Sequence, residues 1–397
     1  MEQDVTIRDP MGGVNQSGLR DHNERLVLSL IQRHGALPSA EAARRANLSA
    51  QTASIIIRGL EADGLLTRGA SVKGKVGKPS VPMMLHPDGI LSLGLNIGRK
   101  SVELVLIDIL GTVRAQAKQA YAYPTPETVM TFLSGAQAQI IGTLTPALIQ
   151  RLAGIGVAAP FELWNWLDAV NAPKEAMSEW RDFDLAVAVA GLTGLPVFQE
   201  NDATAACLAE HLFGRGREFA DYAYFFIGSF VGGGVVLNDA VYSGRTGNAG
   251  AFGTLPVRPD LPGQSQLLHQ ASIYLLERRL EAAGKDPRAV WDPDCDWQSF
   301  GPILDEWIGV TARALALGAV AVSSVIDFER VLIEGNCPPA VRARLVEATR
   351  AALAECDLRG ITPPLVQEAL VGRNARAIGA ASLPISARYL LNQPVFR

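Results

Sequence analysis

The spacing of apolar and polar positions changes character once along the chain, near residue 86. Before that point apolar residues recur at helical intervals in short stretches. Leu26, Leu30 and Ile31 make one face of a helix over 22–34, with Gly35 as its stop. An alanine-rich helix follows over 39–46, with Ser39 at its N-cap. Ser49 caps a third segment, AQTASIIIRGLEADG, whose Ala53, Ile56, Ile57 and Leu60 form an inward stripe ending at Gly64. Two apolar runs, 65–68 and 81–85, read as strands on either side of the loop ASVKGKVGKPS. Helix, short helix, tight turn, longer helix and basic hairpin is the order of a winged helix-turn-helix, whose third helix enters the DNA major groove.

Beyond residue 86 the apolar runs lengthen, and glycine turns separate them from amphipathic helices, the pattern of α/β lobes. Runs 91–95 and 102–109 flank Asn96-Ile97-Gly98-Arg99-Lys100 and predict a hairpin. LAGIGVAAPFEL (152–163) predicts a strand running into a proline turn. GLPVFQENDATAACLAEHLFG (194–214) predicts a strand leading through Asn201-Asp202 into a helix. YAYFFIGSFVGGGVVLND (222–239) predicts two strands joined by a loop holding Gly232, Gly233 and Gly234.

Outward positions at the start of the third helix are the candidates for DNA contact: Ser49, Ala50, Gln51, Thr52, Ser54 and Ile55. Gln51 can read an adenine edge. Ile55 either meets a thymine methyl or packs into the domain. Arg58 is placed at phosphate, and Lys73, Lys75 and Lys78 in the wing reach backbone or minor groove.

Charge agrees with this division. The net charge is −4, yet residues 39–82 carry seven basic against three acidic side chains. A basic module on an acidic body suits a protein that touches phosphates at one end. At 397 residues and 48% hydrophobic the chain can build several cores. No uninterrupted apolar run approaches the roughly 20 residues of a membrane helix, and MEQDVTIRDP lacks the features of a secretion signal. Four scattered cysteines without a CxxC pair indicate reduced thiols. A cytoplasmic protein is expected.

These segments together resemble the ROK family (repressors, open reading frames and kinases), over essentially the whole chain. The resemblance implies a two-lobed actin/hexokinase-like, ribonuclease H-like α/β body, and the winged helix marks the family's repressor branch. In the family's kinases the opening hairpin reads Asp-x-Gly-Gly-Thr and holds ATP phosphates and metal. An Asn-Asp pair holds the sugar, its aspartate being the general base. Gly-Thr-Gly-x-Gly-Gly-Gly meets the nucleotide, and Ala-Gly-Glu-x-Gly-His supplies a sugar-binding glutamate and a zinc-binding histidine ahead of a cysteine cluster.

This chain keeps those motifs in part. Asn201 and Asp202 are intact, so Asp202 is a vestigial general base or a hydrogen-bond acceptor. Gly232, Gly233 and Gly234 remain, but Phe230 replaces a glycine. In the hairpin Asn96 and Gly98 mark a vestigial nucleotide site, Asn96 standing where the metal-organising aspartate would be. Arg99 and Lys100 replace Gly-Thr and read either as a solvated turn or as cations for an anion. Ala249-Gly250-Ala251-Phe252-Gly253-Thr254 has lost both functional side chains, and no cysteine cluster follows, so no structural zinc or other cofactor is expected. Candidate ligand contacts are Asn201, Asp202, Asn248, Gly250 and Lys174, the last at the family's sugar-contacting asparagine position. Trp164 and Trp166 pack or stack on a sugar ring. The segment 322–338 resembles the family's late strand, and 371–385 its closing helix.

The expected organisation is a flexible stretch 1–20, a winged helix-turn-helix over 21–86, a first lobe of 87–195 with 383–397, and a second lobe of 196–382. The expected function is a DNA-binding transcriptional regulator, a repressor of carbohydrate genes, whose degenerate kinase body binds a sugar effector. Its expected partners are an operator duplex, that effector and a second copy of itself. The alternative is an ATP-dependent sugar kinase carrying a DNA-binding domain; a further one is a regulator answering to a protein partner.

Overall fold

A computed structural model describes residues 16–71, 81–161, 174–292 and 294–391. The wing lysines Lys73, Lys75 and Lys78, and Trp164 and Trp166, lie outside the described residues. The chain forms two units, Met1–His86 with Tyr389–Leu391, and Pro87–Arg388 with Asn392–Arg397.

In the first unit α1 (Gln16–His34), β1 (Ala36–Pro38), α2 (Ser39–Arg45), α3 (Ala50–Ala62), β2 (Leu66–Arg68) and β3 (Pro82–Leu85) follow in order. The helices bury Val27, Leu28, Ile31, Ala53, Ile56, Ile57 and Leu60, and the sheet buries Met83 and Leu85. That sheet runs β1-β3-β2, antiparallel throughout. Two expectations are corrected here. Residues 16–20 are helical, not a flexible stretch. Ser39 is the first residue of α2 and not its cap; extended Pro38 takes the cap position without a side-chain bond, because 36–38 pair with β3 up to the helix start.

The second unit holds two five-stranded sheets of one topology. The first is β6-β5-β4-β7-β8, built from β4 (Leu91–Ile97), β5 (Ser101–Asp108), β6 (Val113–Ala120), β7 (Leu152–Ala159) and β8 (Val197–Asn201). The helices α4 (Pro126–Ile141), α5 (Pro146–Ile149), α6 (Lys174–Asp182) and α7 (Leu185–Thr193) lie between its later strands in sequence, and α8 (Asp202–Phe213) follows β8. The second is β11-β10-β9-β12-β13, from β9 (Tyr222–Ile227), β10 (Val231–Leu237), β11 (Ala240–Val241), β12 (Arg330–Gly335) and β13 (Leu365–Glu368). In each, three antiparallel strands continue into two parallel ones. With the second sheet go α9 (Ile273–Ala282), α10 (Pro302–Val325) and α11 (Pro339–Ala354), and α12 (Ala375–Tyr389) closes the chain.

Three further expectations change. Strand β8 pairs in parallel with β7, Ile155 opposite Val197, so the first lobe runs through residue 201 and not to 195. Helix α12 returns to the first sheet earlier than residue 383, since a Cβ on Gly94 would strike Ala377 and Ala381, and one on Gly156 would strike Ala380. The three glycines lie within β10, opposite Phe226, Phe225 and Tyr224, while the turn is formed by residues 228–230. Side chains there would strike Phe252 at Gly233 and Cys207 of α8 at Gly234, so these glycines let a helix approach a sheet. Helix α10 is long and apolar enough to cross a membrane by length and composition, but it buries Trp307, Leu315 and Ala319 in the second lobe's core.

Candidate ligand cleft and nucleic-acid interface

The β4–β5 turn, the N-terminus of α8 and the start of β10 enclose a cavity of about 320 Å³. Arg99, Asn201, Asp202, Phe230, Gly232, Gly233, Asn248, Gly250, Ala251 and Thr254 are on its wall. Of the expected ligand and nucleotide residues, Asn201, Asp202, Gly232, Gly233, Asn248 and Gly250 are therefore brought together. Asn96, Gly98 and Gly234 are not on the wall. Lys174 opens α6, and its side chain lies outside the described residues. A neighbouring cavity of about 490 Å³ shares Pro160, Phe161 and Asn201 and adds Trp180, Glu200 and Thr246.

Each polar group is held by local structure. Asn201 caps α8, its Oδ1 accepting the N–H groups of Ala203 (3.0 Å) and Thr204 (3.4 Å). Asp202 opens that helix, nearly buried, and its Oδ2 accepts from Nη1 of Arg376 at 3.2 Å. Arg376 lies 5.1 Å from the Phe226 ring centre. Gly250 has φ +77° and sits so close to Gly233 and Gly234 that a side chain would collide with their backbone. Sequence reasoning missed Arg376, whose only signal is an arginine-rich start to the closing segment, and Glu200. Glu200 precedes the Asn-Asp pair, accepts from Asn201 N (2.9 Å) and Ser243 Oγ (2.6 Å), and is pushed up in pKa by burial.

The reading of Arg99 as a solvated turn residue is overturned. It is 8% exposed, its guanidinium carbon lies 4.3 Å from the Phe230 ring centre, and burial pushes its pKa down to about 10. The turn is stiff: Gly98 N donates to Ser101 O (2.9 Å) and Tyr121 OH donates to Gly98 O (2.5 Å). Arg99 therefore points inward. Lys100 is partly exposed.

Magnesium and ATP do not fit these residues. Asn96 is neutral, and its Oδ1 is buried without a hydrogen-bond partner. Arg99 and Phe230 stand where small residues would admit phosphates. Among the described residues no group of three His, Cys, Asp or Glu could hold a metal, and Ala251 and Thr254 are on the cavity wall at the positions of the family's glutamate and histidine.

In the first unit, Ser49 Oγ accepts from Thr52 N (3.0 Å) and lies 2.8 Å from Thr52 Oγ1, so these hydroxyls complete the cap of α3. Ala50, Gln51, Ile55 and Arg58 are exposed in a row beyond it, with Ser54 partly covered. Ile55 is 54% exposed, which removes the packing alternative. Arg58 Nε donates to Ser54 O at 3.2 Å. Asn47, at φ 51°, makes the left-handed step that turns α2 into α3.

Comparisons with known proteins agree with this geometry. Residues 92–265 match the ROK family and residues 17–75 the MarR family. Protein y4fQ of Sinorhizobium fredii is 28% identical over 368 residues, 91% of this chain and 90% of that one. The xylose repressor of Bacillus subtilis is 24% identical over 243 residues, 61% of this chain and 62% of the repressor. The DNA-binding transcriptional dual regulator NagC of Escherichia coli is 23% identical over 323 residues, 80% of this chain and 77% of that protein. Among solved structures, a ROK transcriptional regulator homologous to the E. coli MLC protein matches with a TM-score of 0.66 at 20% identity, over 93% of this chain and 97% of that one. A Streptomyces griseus ROK glucokinase, solved with glucose and AMPPNP, matches with a TM-score of 0.59 at 22% identity, over 74% and 98%. These structures establish the fold. The chain carries a ROK family domain over residues 92–265 together with an N-terminal MarR-type winged helix over residues 17–75.

Proposed function

We propose that this protein is a DNA-binding transcriptional regulator, a repressor of carbohydrate-metabolism genes, whose kinase-derived cleft senses a sugar or sugar derivative. The observation that carries the reading is the α3 surface: a capped helix of a winged domain with Gln51, Ile55 and Arg58 exposed in one row. Gln51 reads an adenine edge, Ile55 meets a thymine methyl and Arg58 a phosphate, while Ser49 and Thr52 hold the helix start. In the cleft Asp202, Asn201 and Asn248 take sugar hydroxyls. Phosphoryl transfer is not part of the function, because the chemistry depends on metal and positioned phosphates and the turn residues 96–100 offer neither a carboxylate nor space for them. The protein acts in the cytoplasm as a homodimer on a two-fold operator. The effector alters DNA affinity by binding two closure states unequally.

Fluorescence anisotropy of the full chain with its own upstream intergenic DNA tests this, at fixed salt, against scrambled DNA and then with a sugar panel. Specific binding that one sugar shifts is expected. Equal affinity for both DNAs, with no enrichment at any genomic site, overturns the reading. Asp202 in the cleft favours one second reading, a sugar kinase; ATP-dependent phosphorylation abolished by Asp202→Asn establishes it.

A further inference from the structure

The second lobe holds another cavity of about 320 Å³, walled by the loop before α9, by α9 itself and by α10. One turn of chain, Leu267–His269, separates it from the cleft: Leu268 is on the cleft wall, and the next residues, His269 and Gln270, are on this one. Its polar groups are fixed in place. Gln270 is nearly buried, its Nε2 donating to Gln264 O (3.0 Å) and its carbonyl accepting from Thr311 Oγ1 (3.4 Å). Trp307 is buried, with its indole N–H committed to Ser272 O (3.0 Å), so it adds apolar surface beside Leu275.

The charged groups on this wall are Arg278 and Arg279; no Asp or Glu is among the lining residues described. Arg279 is paired with Glu306 at 2.5 Å. Arg278 is exposed and makes no hydrogen bond to a carboxylate among the described residues; its guanidinium carbon lies 5.3 Å from the Tyr274 ring centre. Of its acidic neighbours along α9, Glu277 accepts from Trp291 Nε1 (2.7 Å) and Glu281 is exposed to water. Burial pushes His269 toward its neutral form, and its buried Nδ1 has no hydrogen-bond partner among the described residues. A guanidinium beside amides and an apolar floor suits a small anion with an apolar body.

This cavity is joined to the cleft by packed groups. Tyr274 and Arg278 share one face of α9, four residues apart. The Tyr274 ring meets Phe230 of the cleft wall edge-on, with centres 5.1 Å apart. The start of α9 also holds the turn that carries Phe230: Ser272 Oγ accepts from Val231 N (3.0 Å), and Ile273 N donates to Gly228 O (3.0 Å).

We propose that this cavity is a second ligand site, separate from the cleft, for a small organic anion. Arg278 takes its carboxylate or phosphate, Leu275 and Trp307 receive its apolar body, and occupancy is transmitted to the cleft through Tyr274 and Phe230. The assignment stands apart from whichever ligand the cleft takes.

The test is isothermal titration calorimetry of the full chain without DNA. The probes are benzoate, hexanoate and phenyl phosphate, their neutral counterparts benzamide, hexanamide and phenol, and inorganic phosphate. At least one organic anion is expected to bind about fivefold or more tighter than its neutral counterpart and to lose that advantage as salt rises. The carboxylates and the phosphate ester separate the two sources of charge. Arg278→Met, at an exposed position, should abolish the preference while the neutral counterpart's affinity stays within about twofold. Amide hydrogen exchange over residues 228–231 should slow several-fold when the anion binds, and Tyr274→Leu should remove that slowing while the anion still binds. No preference for any organic anion, or a preference kept intact in Arg278→Met, overturns the site. Inorganic phosphate binding as tightly as the organic anions overturns it too, by showing an adventitious ion only. Binding that leaves exchange at 228–231 unchanged, or slowing that survives Tyr274→Leu, overturns the coupling.

Discussion

At the scale of single residues, burial separates side chains that look alike in the sequence. Arg99 and Lys100 are adjacent cations, yet Arg99 is 8% exposed and faces the cleft while Lys100 is only partly covered. Glu210 shows the same effect among acids. It is fully buried in α8, and its carboxylate accepts the N–H groups of Arg215, Leu370 and Val371, pinning the loop after β13. Burial raises its pKa above the usual carboxylate value despite those bonds. The folded state therefore binds more protons than the unfolded state between the ordinary value of about 4.3 and the raised one. Its contribution is complete below that window and is lost as pH rises through it. Urea denaturation at steps from pH 4.5 to 7 is expected to show wild type losing more stability with rising pH than Glu210→Gln; parallel curves would contradict this account.

At the scale of elements, α3 and β10 show two uses of spacing. Helix α3 sends Ala53, Ile56, Ile57 and Leu60 inward, which leaves Gln51, Ile55 and Arg58 outside. That division was readable in the sequence, because a 3.6-residue period assigns faces without reference to any neighbour. Gln51→Ala is expected to cost about 1–3 kcal/mol of specific DNA binding and relax the preference at one base pair, and Arg58→Ala to weaken all sequences alike and reduce the salt slope by about one. Anisotropy titrations across a salt series check both, and equal losses on operator and scrambled DNA for Gln51→Ala would remove it from base contact. The glycines of β10 were readable as a motif but misplaced into a loop. Their reason lies in α8 and Phe252, which press on positions 233 and 234 from distant parts of the chain. Strand β1 and the extension of α1 to Gln16 were missed for a related cause: three residues of strand are too short to show a period, and 16–20 carry little apolar signal.

At the scale of the whole molecule, the proposed function puts a DNA-reading unit and a ligand-sensing body on one chain, and it requires the body to have two states with unequal effector affinity. A dimer on DNA is expected to protect two half-sites separated by about one helical turn or a multiple of it. Footprinting on a bound intergenic fragment checks this, and a single protected half-site would argue for a monomer. The sequence by itself determined the winged helix and an α/β body, because periodicity is a property of contiguous residues, while its resemblance to the ROK family implied the two lobes and the losses at Asn96, Ala251 and Thr254. Only the tertiary structure decided that Arg99 turns inward onto Phe230, that Arg376 crosses to Asp202 from 174 residues away, and that Glu200 borders the second cavity. Those facts depend on which strands and helices meet, and a cation's surroundings are set by groups brought near in space whatever their separation along the chain.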